Sequence, residues 1–222
     1  MKKFILLLVA GAILLSSCSK TSETPTKSKS VTIQGKAYST VVLGGQTWTA
    51  VSYDGPGGVA VPDVDENTYG KLYEWPEAQA IALPAGWRLP TKQDFSNLLK
   101  SQGALIDNTV LGTVSIDPAL SAHFRSQANW TLPGDNASGF NAQPAGEYNY
   151  FINEYNNTYA YATFWGSTIE THGANPTTQT VLTIAGYYSS PGTGHTPMIG
   201  ASTTAFEAGG KLSYSLRFVK DN

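Results

Sequence analysis

The sequence predicts an α+β domain built mostly of antiparallel strands, with two short helices in its first half and long loops. Two Gly-Gly pairs, at residues 44–45 and 209–210, each separate runs of strand-forming residues, which is typical of tight hairpins. Residues 91–102 instead repeat apolar side chains with a helical period. The chain has 222 residues, of which 41% are hydrophobic and 14% charged, so it is too apolar for a disordered protein and too poor in charge for a coiled coil.

The N-terminus has the features of a bacterial export signal. Lys2 and Lys3 precede an apolar run at residues 4–15, which is too short to span a bilayer and suits a signal-peptide core. Small residues then precede Cys18, a spacing that resembles the bacterial lipobox. The resemblance implies cleavage before Cys18 and lipidation of its thiol, so that acyl chains would anchor the protein to a membrane. An ordinary secretory signal with an incidental cysteine is the alternative.

The domain boundaries follow from this leader. Residues 1–17 are predicted to be the signal peptide, and residues 18–30 the lipidated cysteine and a flexible tether rich in Ser, Thr and Lys. A coil of this length spans about 20 Å. Residues 31–222 are predicted to form a single domain.

Charge and cysteine content exclude several classes of protein. The formal net charge of −2, from 14 basic and 16 acidic residues, lacks the basic surplus that a nucleic-acid binder needs. A single cysteine excludes a disulfide scaffold and a multi-cysteine zinc site. We therefore expect no nucleic-acid partner.

Both predicted helices carry start signals. Residues 91–102 form the clearer one, because Thr91 can cap its N-terminus and Asp94 stands three residues later, as in a short capping box. Residues 75–81 form a shorter helix with Pro76 in its first turn, where no N–H is needed.

The second half is predicted to contain one hairpin, several loops and a final strand. Residues 146–167 alternate aromatic residues around a turn at residues 153–157. Residues 211–219 alternate apolar and polar side chains, which predicts a strand with one buried face. Three stretches are predicted to be mostly loop, the last two because they are rich in Gly, Pro, Ser and Thr: residues 103–138, 171–180 and 189–204.

Several short motifs, taken together, point to a known family. The most specific is Gly-Trp-Arg-Leu-Pro-Thr at residues 86–91. The other motif segments are residues 45–50, 69–75, 138–146, 164–168 and 216–221. In this order they resemble the Fibrobacter succinogenes major paralogous domain, a family of bacterial surface and secreted proteins. The chain departs from the family pattern at Thr49, where methionine is usual, and at Phe218, where cysteine is usual.

The resemblance implies a fold and a location. The family is similar to the C-type-lectin-like fold, in which the terminal strands pair and long loops extend from a second small sheet. It has no family-wide enzyme activity or defined ligand, so it implies architecture more than chemistry. It also suggests a Gram-negative source, which would place the lipidated protein in the cell envelope, at the outer membrane.

Most of the motif residues have a structural interpretation. A tryptophan ring buries about 150–250 Å², enough to anchor a core without any ligand. Arg88 is expected to use its guanidinium as a fork to a carboxylate or to carbonyls. The residues assigned to the structural core are Trp48, Trp75, Trp87, Arg88, Phe140, Trp165 and Arg217.

Two oxygen-rich stretches are candidate calcium sites. Counted from the first residue, positions one, three, five and twelve of one stretch carry oxygen ligands, as in an EF-hand loop: Asp63, Asp65, Asn67 and Glu74. Thr68 stands where that loop needs glycine, so an exposed acidic turn is the alternative. The second stretch contains Asp135, Asn136 and Asn141. No cofactor other than calcium is expected.

An aromatic and amide-rich segment is the strongest ligand-binding candidate. Flat aromatic rings stack on sugars and amides bond their hydroxyls, although a hairpin also alternates aromatic residues simply to cover a sheet. The candidate residues are Tyr148, Tyr150, Asn153, Tyr155, Tyr159 and Tyr161.

These features favour a non-catalytic, lectin-like binding domain on a lipid-anchored envelope protein, with a glycan or another envelope protein as ligand. A structural component of the envelope or of a fimbria-like fibre is the alternative. An enzyme, such as a divergent hydrolase, is least favoured, because the three histidines lack metal-ligand spacing and no Gly-x-Ser-x-Gly motif is present.

Overall fold

A computed structural model describes residues 27–104, 113–115, 117–170, 178–190, 194–205 and 211–222. The predicted leader, Cys18, the first part of the tether and the turn at residues 209–210 lie outside these ranges. Within them the chain is mostly antiparallel strands with a few short helices, which confirms that part of the prediction. The elements are β1 (Lys27–Ile33), β2 (Lys36–Leu43), β3 (Gln46–Thr49), β4 (Val59–Ala60), α1 (Glu66–Tyr69), β5 (Lys71–Glu74), α2 (Trp75–Ala80), β6 (Trp87–Arg88), α3 (Lys92–Ser101), β7 (Thr113–Ser115), α4 (Pro118–Phe124), β8 (Glu147–Asn149), β9 (Glu154–Asn156), β10 (Tyr161–Glu170), β11 (Thr178–Ser190), β12 (Gly194–Ala205), β13 (Leu212–Tyr214) and β14 (Val219–Asp221).

The first sheet joins the two ends of the described chain, in the order β1-β2-β3-β14-β6. The predicted turn at residues 44–45 connects β2 to β3, and both glycines have a positive φ. The C-terminal strand β14 then lies between β3 and β6, with Val219 opposite both Trp48 and Arg88. Strand β1 begins at Lys27, inside the segment predicted to be tether, because it pairs with β2 in register.

The second sheet, β10-β11-β12-β7, corrects two predicted loops. Residues 178–180 and 189–190 belong to β11, and residues 194–204 belong to β12. Gly, Ser and Thr indicate loops by composition, but β-branched threonine also fits a pleated strand. Here a long antiparallel ladder between β11 and β12 decides in favour of strands.

The third sheet, β4-β5-β13-β8-β9, corrects the predicted late hairpin. Strands β8 and β9 form a tight hairpin around residues 150–153, instead of turning at residues 153–157. Strand β10 follows this hairpin in the chain, but it pairs with β11 in the second sheet and not with β8 or β9. Aromatic alternation continues through both segments, so the sequence pattern does not mark where the chain changes sheets.

The single strand predicted at residues 211–219 is instead two short strands, β13 and β14, joined by an irregular segment. The segment is also buried on both sides, not on one face as predicted. Every residue from Ser213 to Val219 is buried, including the polar side chains of Ser215 and Arg217. The segment leaves the third sheet after β13 and enters the first sheet at β14, so neighbouring elements cover both of its sides.

The helices begin at capping residues. The predicted helix at residues 91–102 is α3, and Thr91 and Asp94 form its capping box. The predicted helix at residues 75–81 is α2, with Pro76 in its first turn. Helix α4 lies in the stretch predicted to be loop; Asp117 caps it. None of the helices in the described ranges is long and apolar enough to cross a membrane.

The aromatic motif residues differ in burial. Trp48 and Trp165 have no exposed surface, and the Trp165 indole N–H donates to the Tyr73 carbonyl at 2.7 Å. Trp75 and Trp87 are partly buried and pack against the cluster of buried residues that contains Trp165. Phe140 is fully buried, 6.1 Å from the Trp48 ring in an edge-to-face contact.

A buried carboxylate connects the first sheet to α3. Asp94 accepts hydrogen bonds from the Gln46 amide at 2.6 Å and from the Thr91 backbone N–H at 2.6 Å. The Arg88 guanidinium binds both carboxylate oxygens of Asp94, which is the fork that the sequence predicts. Gln46 and Arg88 also bond Asp221 on β14, so four segments of the chain meet at this carboxylate.

This network makes the stability of the fold depend on pH. Burial by itself would raise the pKa of Asp94, but hydrogen bonds from Arg88, Gln46 and Thr91 outweigh it and lower the pKa to about 2. In the unfolded chain the same carboxyl titrates near pH 4. The stabilisation is therefore complete above about pH 4 and is lost as the pH falls towards 2.

We expect this group to contribute about 2 kcal/mol of pH-dependent unfolding free energy between pH 5 and pH 2. Urea denaturation of the wild type and of Asp94→Asn, at several pH values, measures it. The difference in stability between the two proteins should shrink as the pH falls through this range. A difference that stays constant from pH 5 to pH 2 would contradict the assignment.

Candidate functional site

Three of the predicted tyrosines lie together on one hairpin. We call residues 147–156, which comprise β8, its turn and β9, the aromatic hairpin. The Tyr148 ring lies 4.5 Å from the Tyr150 ring, edge to face, and 4.7 Å from the Tyr155 ring. The Tyr148 hydroxyl donates to the side chain of Asn153, which also belongs to the predicted set. These four side chains therefore form one partly exposed cluster.

The aromatic hairpin is held rigidly at its base. The Tyr150 backbone N–H donates to the Lys211 carbonyl at 3.0 Å, and the Tyr155 hydroxyl donates to the Ala60 carbonyl at 2.8 Å. Because Ala60 is on β4, the second bond joins the two edge strands of the third sheet, which is therefore curled. Tyr148 and Tyr155 also pack on a small apolar cluster: Val61, Tyr69, Leu72 and Ala145.

The tip of the hairpin presents two apolar side chains to solvent. Phe151 is 66% exposed and Ile152 is 55% exposed. The Asn149 side chain accepts the Phe151 backbone N–H at 2.9 Å, and Asn153 closes the turn with a positive φ of 54°. The turn thus holds the side chains of Phe151 and Ile152 in solvent, next to the packed tyrosines of the hairpin.

Ionisable groups surround the hairpin base. Burial raises the pKa of Glu147, although a hydrogen bond with Tyr214 partly opposes this. Lys211 lies 5.9 Å from the centre of the Tyr150 ring, in a cation–π arrangement, and 3.8 Å from Glu74. Ionisable groups therefore lie beside the packed tyrosines of the base, whereas the two exposed side chains of the tip are apolar.

The other two predicted tyrosines lie elsewhere. Tyr161 begins β10 in the second sheet and is partly buried. Tyr159 is 44% exposed and lines a cleft of about 330 Å³ together with Asp63, Asp65 and Asn129. The structure therefore divides the predicted tyrosine surface into a hairpin cluster and a cleft that no hairpin residue lines, although Tyr69 belongs both to the cleft and to the cluster under the hairpin.

The three acidic residues of the predicted EF-hand loop, all within the described ranges, are not grouped so that they could hold a metal ion. Asp65 caps α1, where it accepts hydrogen bonds from the Asn67 N–H and the Thr68 hydroxyl, and these bonds lower its pKa. The Asn67 side-chain oxygen Oδ1 accepts a hydrogen bond from the Lys36 ammonium at 3.1 Å. Glu74 caps α2 in a capping box with Glu77. Capping of a helix start thus accounts for two of the predicted ligands, Asp65 and Glu74.

The second oxygen-rich stretch forms turns. Asp135 accepts the Ala137 backbone N–H at 2.9 Å, and Asn136 accepts that of Asn141 at 2.8 Å. Asp135 also lies 3.7 Å from His123. Across the described ranges, no three His, Cys, Asp or Glu side chains are grouped so that they could hold a metal ion.

Comparison with known families gives a clear assignment. The family model of the Fibrobacter succinogenes major domain matches residues 34–220, which is most of the chain. The chain belongs to this family. No curated protein and no solved structure matches the chain.

The motif residues of this Fibrobacter succinogenes major domain support the scaffold. Arg88 contributes to the Asp94 network, and Leu89 is buried. Arg217 is fully buried and donates to the carbonyls of Thr49 and Asn141 at 2.9 and 3.1 Å. The aromatic hairpin lies in the sequence between the motif segments 138–146 and 164–168. Its exposed side chains are therefore not part of the family motifs, which form the scaffold around it.

The structure adds residues that the sequence analysis does not select. Ile152 is the second exposed apolar residue of the tip. The sequence pattern that could have indicated it is the apolar pair Phe-Ile inside the run Asn-Tyr-Phe-Ile-Asn. Asn129 lines the Tyr159 cleft from a segment thirty residues away in sequence. Only the tertiary fold brings Asn129 there, so no local pattern predicts it.

Gly146 positions the aromatic hairpin, and substituting it tests this role. Its φ is +66°, and a Cβ there would lie 2.1 Å from the Asn156 carbonyl oxygen and 2.7 Å from the Thr158 nitrogen. Gly35 has a similar φ of +85°, but a Cβ there meets nothing within 4 Å.

We expect Gly35→Ala to lower the free energy of unfolding by about 1–2 kcal/mol, from backbone strain alone. Gly146→Ala should lower the free energy of unfolding by clearly more than this, because the backbone must also move away from the new methyl group. Denaturant unfolding of both variants measures the difference. Equal losses for the two variants would show that the hairpin does not pack against Gly146 as described.

Proposed function

We propose that this protein is a lipid-anchored component of the cell envelope whose folded domain is a non-catalytic, lectin-like binding module. The proposal extends to a C-type-lectin-like fold, with the last strand joining the N-terminal sheet and long loops carrying the contacts. The ligand is a glycan or another envelope protein, and the anchor lies in the outer membrane of a Gram-negative bacterium. Nucleic acid is not among the proposed partners.

The aromatic hairpin is the observation that carries this proposal. Two adjacent apolar side chains at its tip, Phe151 and Ile152, are more than half exposed. Isolated exposed apolar residues are common, but a group of them beside three tyrosines is typical of an interaction surface. The packed base means that little side-chain and loop freedom is lost on binding, which favours affinity.

A second candidate is an assembly component of the envelope or of a fimbria-like fibre. Strand β1 is at the edge of the first sheet, and it is the first described element of the chain. The outer side of an edge strand can pair with a strand from another molecule. In this case β1, rather than the aromatic hairpin, would contact a partner present in fixed stoichiometry.

The membrane anchor is tested by replacing Cys18. We expect Cys18→Ala to abolish incorporation of a labelled fatty acid and to move the protein out of the detergent-soluble membrane fraction, because a diacylglycerol on this thiol is the proposed anchor. Metabolic labelling and cell fractionation measure both effects. A variant that is still lipidated, or a wild type that never carries lipid, would contradict the anchor.

The binding surface is tested by removing the apolar tip. We expect Phe151→Ser with Ile152→Ser to reduce ligand retention at least tenfold, measured on a glycan array and by cross-linking on intact cells, because the apolar contact area is lost. Leu132→Ser is the matched control, since Leu132 is 46% exposed but lies outside the hairpin. It should retain binding.

Two results would count against the hairpin. Unchanged binding by the double variant would show that the tip makes no contact with the ligand. A stoichiometric partner cross-linked to residues 27–33 would instead favour the assembly function through β1.

A further inference from the structure

The cleft beside Tyr159 brings several kinds of ligand-binding side chain together. It measures about 330 Å³, at the lower end of the range for small-molecule sites, so its size suits one ring of a glycan. Tyr69, Asn129 and Tyr159 line it together with two carboxylates, Asp63 and Asp65. The lining therefore offers an aromatic ring, an amide and acidic oxygens around one small space.

Tyr159 is held in place by its backbone. Its N–H donates to the Pro144 carbonyl at 2.9 Å, and its carbonyl accepts the Thr131 N–H at 2.8 Å. Its φ is +70°, a conformation that bulky residues adopt rarely and that persists only when the surrounding structure imposes it. The fold thus fixes a tyrosine in a costly conformation that leaves its side chain 44% exposed at the cleft.

Two other side chains of the lining, Tyr69 and Asn129, are held by the surrounding structure. Tyr69 is 4% exposed, and burial raises its pKa, with a smaller contribution from nearby Tyr159. The Asn129 amide donates to the Gln143 side chain at 3.0 Å, which orients it. A ligand in the cleft would therefore meet side chains that are already positioned.

The two carboxylates have different roles. The Asp65 oxygens are occupied by the Thr68 hydroxyl and by the cap of α1. Asp63 accepts no hydrogen bond from any residue in the described ranges, so its oxygens remain to accept donors from a ligand. A carboxylate that accepts a hydrogen bond from a hydroxyl group forms a short, strong hydrogen bond.

This chemistry selects among ligands. Acidic side chains repel anions, and an aromatic ring adds nothing to a calcium site, which needs six to eight oxygen ligands. A neutral sugar fits both features, because its C–H face packs on a tyrosine ring and its hydroxyls donate to carboxylate and amide oxygens. We propose that the Tyr159 cleft binds one neutral sugar ring directly, stacked on Tyr159 and hydrogen-bonded to Asp63 and Asn129.

This inference rests on the proposed binding function and deepens it, by naming a ligand class and a second site whose lining contains no residue of the aromatic hairpin. The test uses the full chain in detergent and saturation-transfer NMR. The probes are the methyl glycosides of glucose, galactose, mannose and xylose, each at millimolar concentration. We expect transfer to the ring protons of at least one glycoside, and the same transfer in calcium and in EDTA.

Three variants identify the cleft. Tyr159→Asn removes the ring but keeps a residue that tolerates positive φ, so we expect a folded protein with at least tenfold weaker binding. Tyr159→Phe keeps the ring and should retain affinity within about threefold. Asp63→Asn should weaken binding about fivefold or more, because a charged acceptor becomes a neutral one. Thermal unfolding of each variant verifies the fold.

The outcomes separate this inference from the proposed function. The Phe151→Ser, Ile152→Ser double variant should bind the glycosides as the wild type does, since the cleft does not contain the tip. The cleft proposal is overturned if no glycoside shows transfer, if transfer needs calcium, or if Tyr159→Asn binds like the wild type. Hairpin-dependent retention on cells would remain in each of those cases.

Discussion

The Asp94 carboxylate is the interaction on which the arrangement of the first sheet depends. It is almost entirely buried, and such a charge is tolerated only when its oxygens are hydrogen-bonded. Its donors come from β3, from the segment around β6 and from the cap of α3. Asp221 shares two of these donors, which brings the C-terminal strand to the same point. Removing any one donor would leave this buried charge with fewer hydrogen bonds to compensate it.

The C-terminal segment connects the first sheet to the sheet that contains the aromatic hairpin. It pairs with β5 and β8 as β13, then crosses the core and pairs with β3 and β6 as β14. Between them Arg217 lies over the rings of Phe140 and Phe164, at 4.7 and 5.4 Å. The aromatic hairpin is therefore fastened to the same buried segment that completes the first sheet. A rigid base of this kind suits a surface whose proposed role is to bind.

The sequence predicted elements well where the signal was local. The capping residue Thr91 and the proline of the shorter helix mark helix starts within a few residues, and the turn at residues 44–45 marks the first hairpin. Composition predicts loop at both ends of β11, because the strand is identified only by its pairing with β12, which at Thr178 involves a residue 27 positions away. The same limit applies to the site. Aromatic alternation indicated a hairpin, but it could not assign Tyr159 to a different surface from Tyr150.

The sequence alone therefore determined the family, the antiparallel character of the domain and the residue types that a site would use, because composition, periodicity and capping act over a few residues. It also determined the leader features that motivate the proposed anchor. Only the tertiary structure decided which of those residues meet. Asp63, Asn129 and Tyr159 line one cleft because separate loops converge there, while Asp63 and Glu74, close in sequence, are not grouped into one metal site. Contacts between distant segments depend on the packing of the whole core, and no local pattern contains that information.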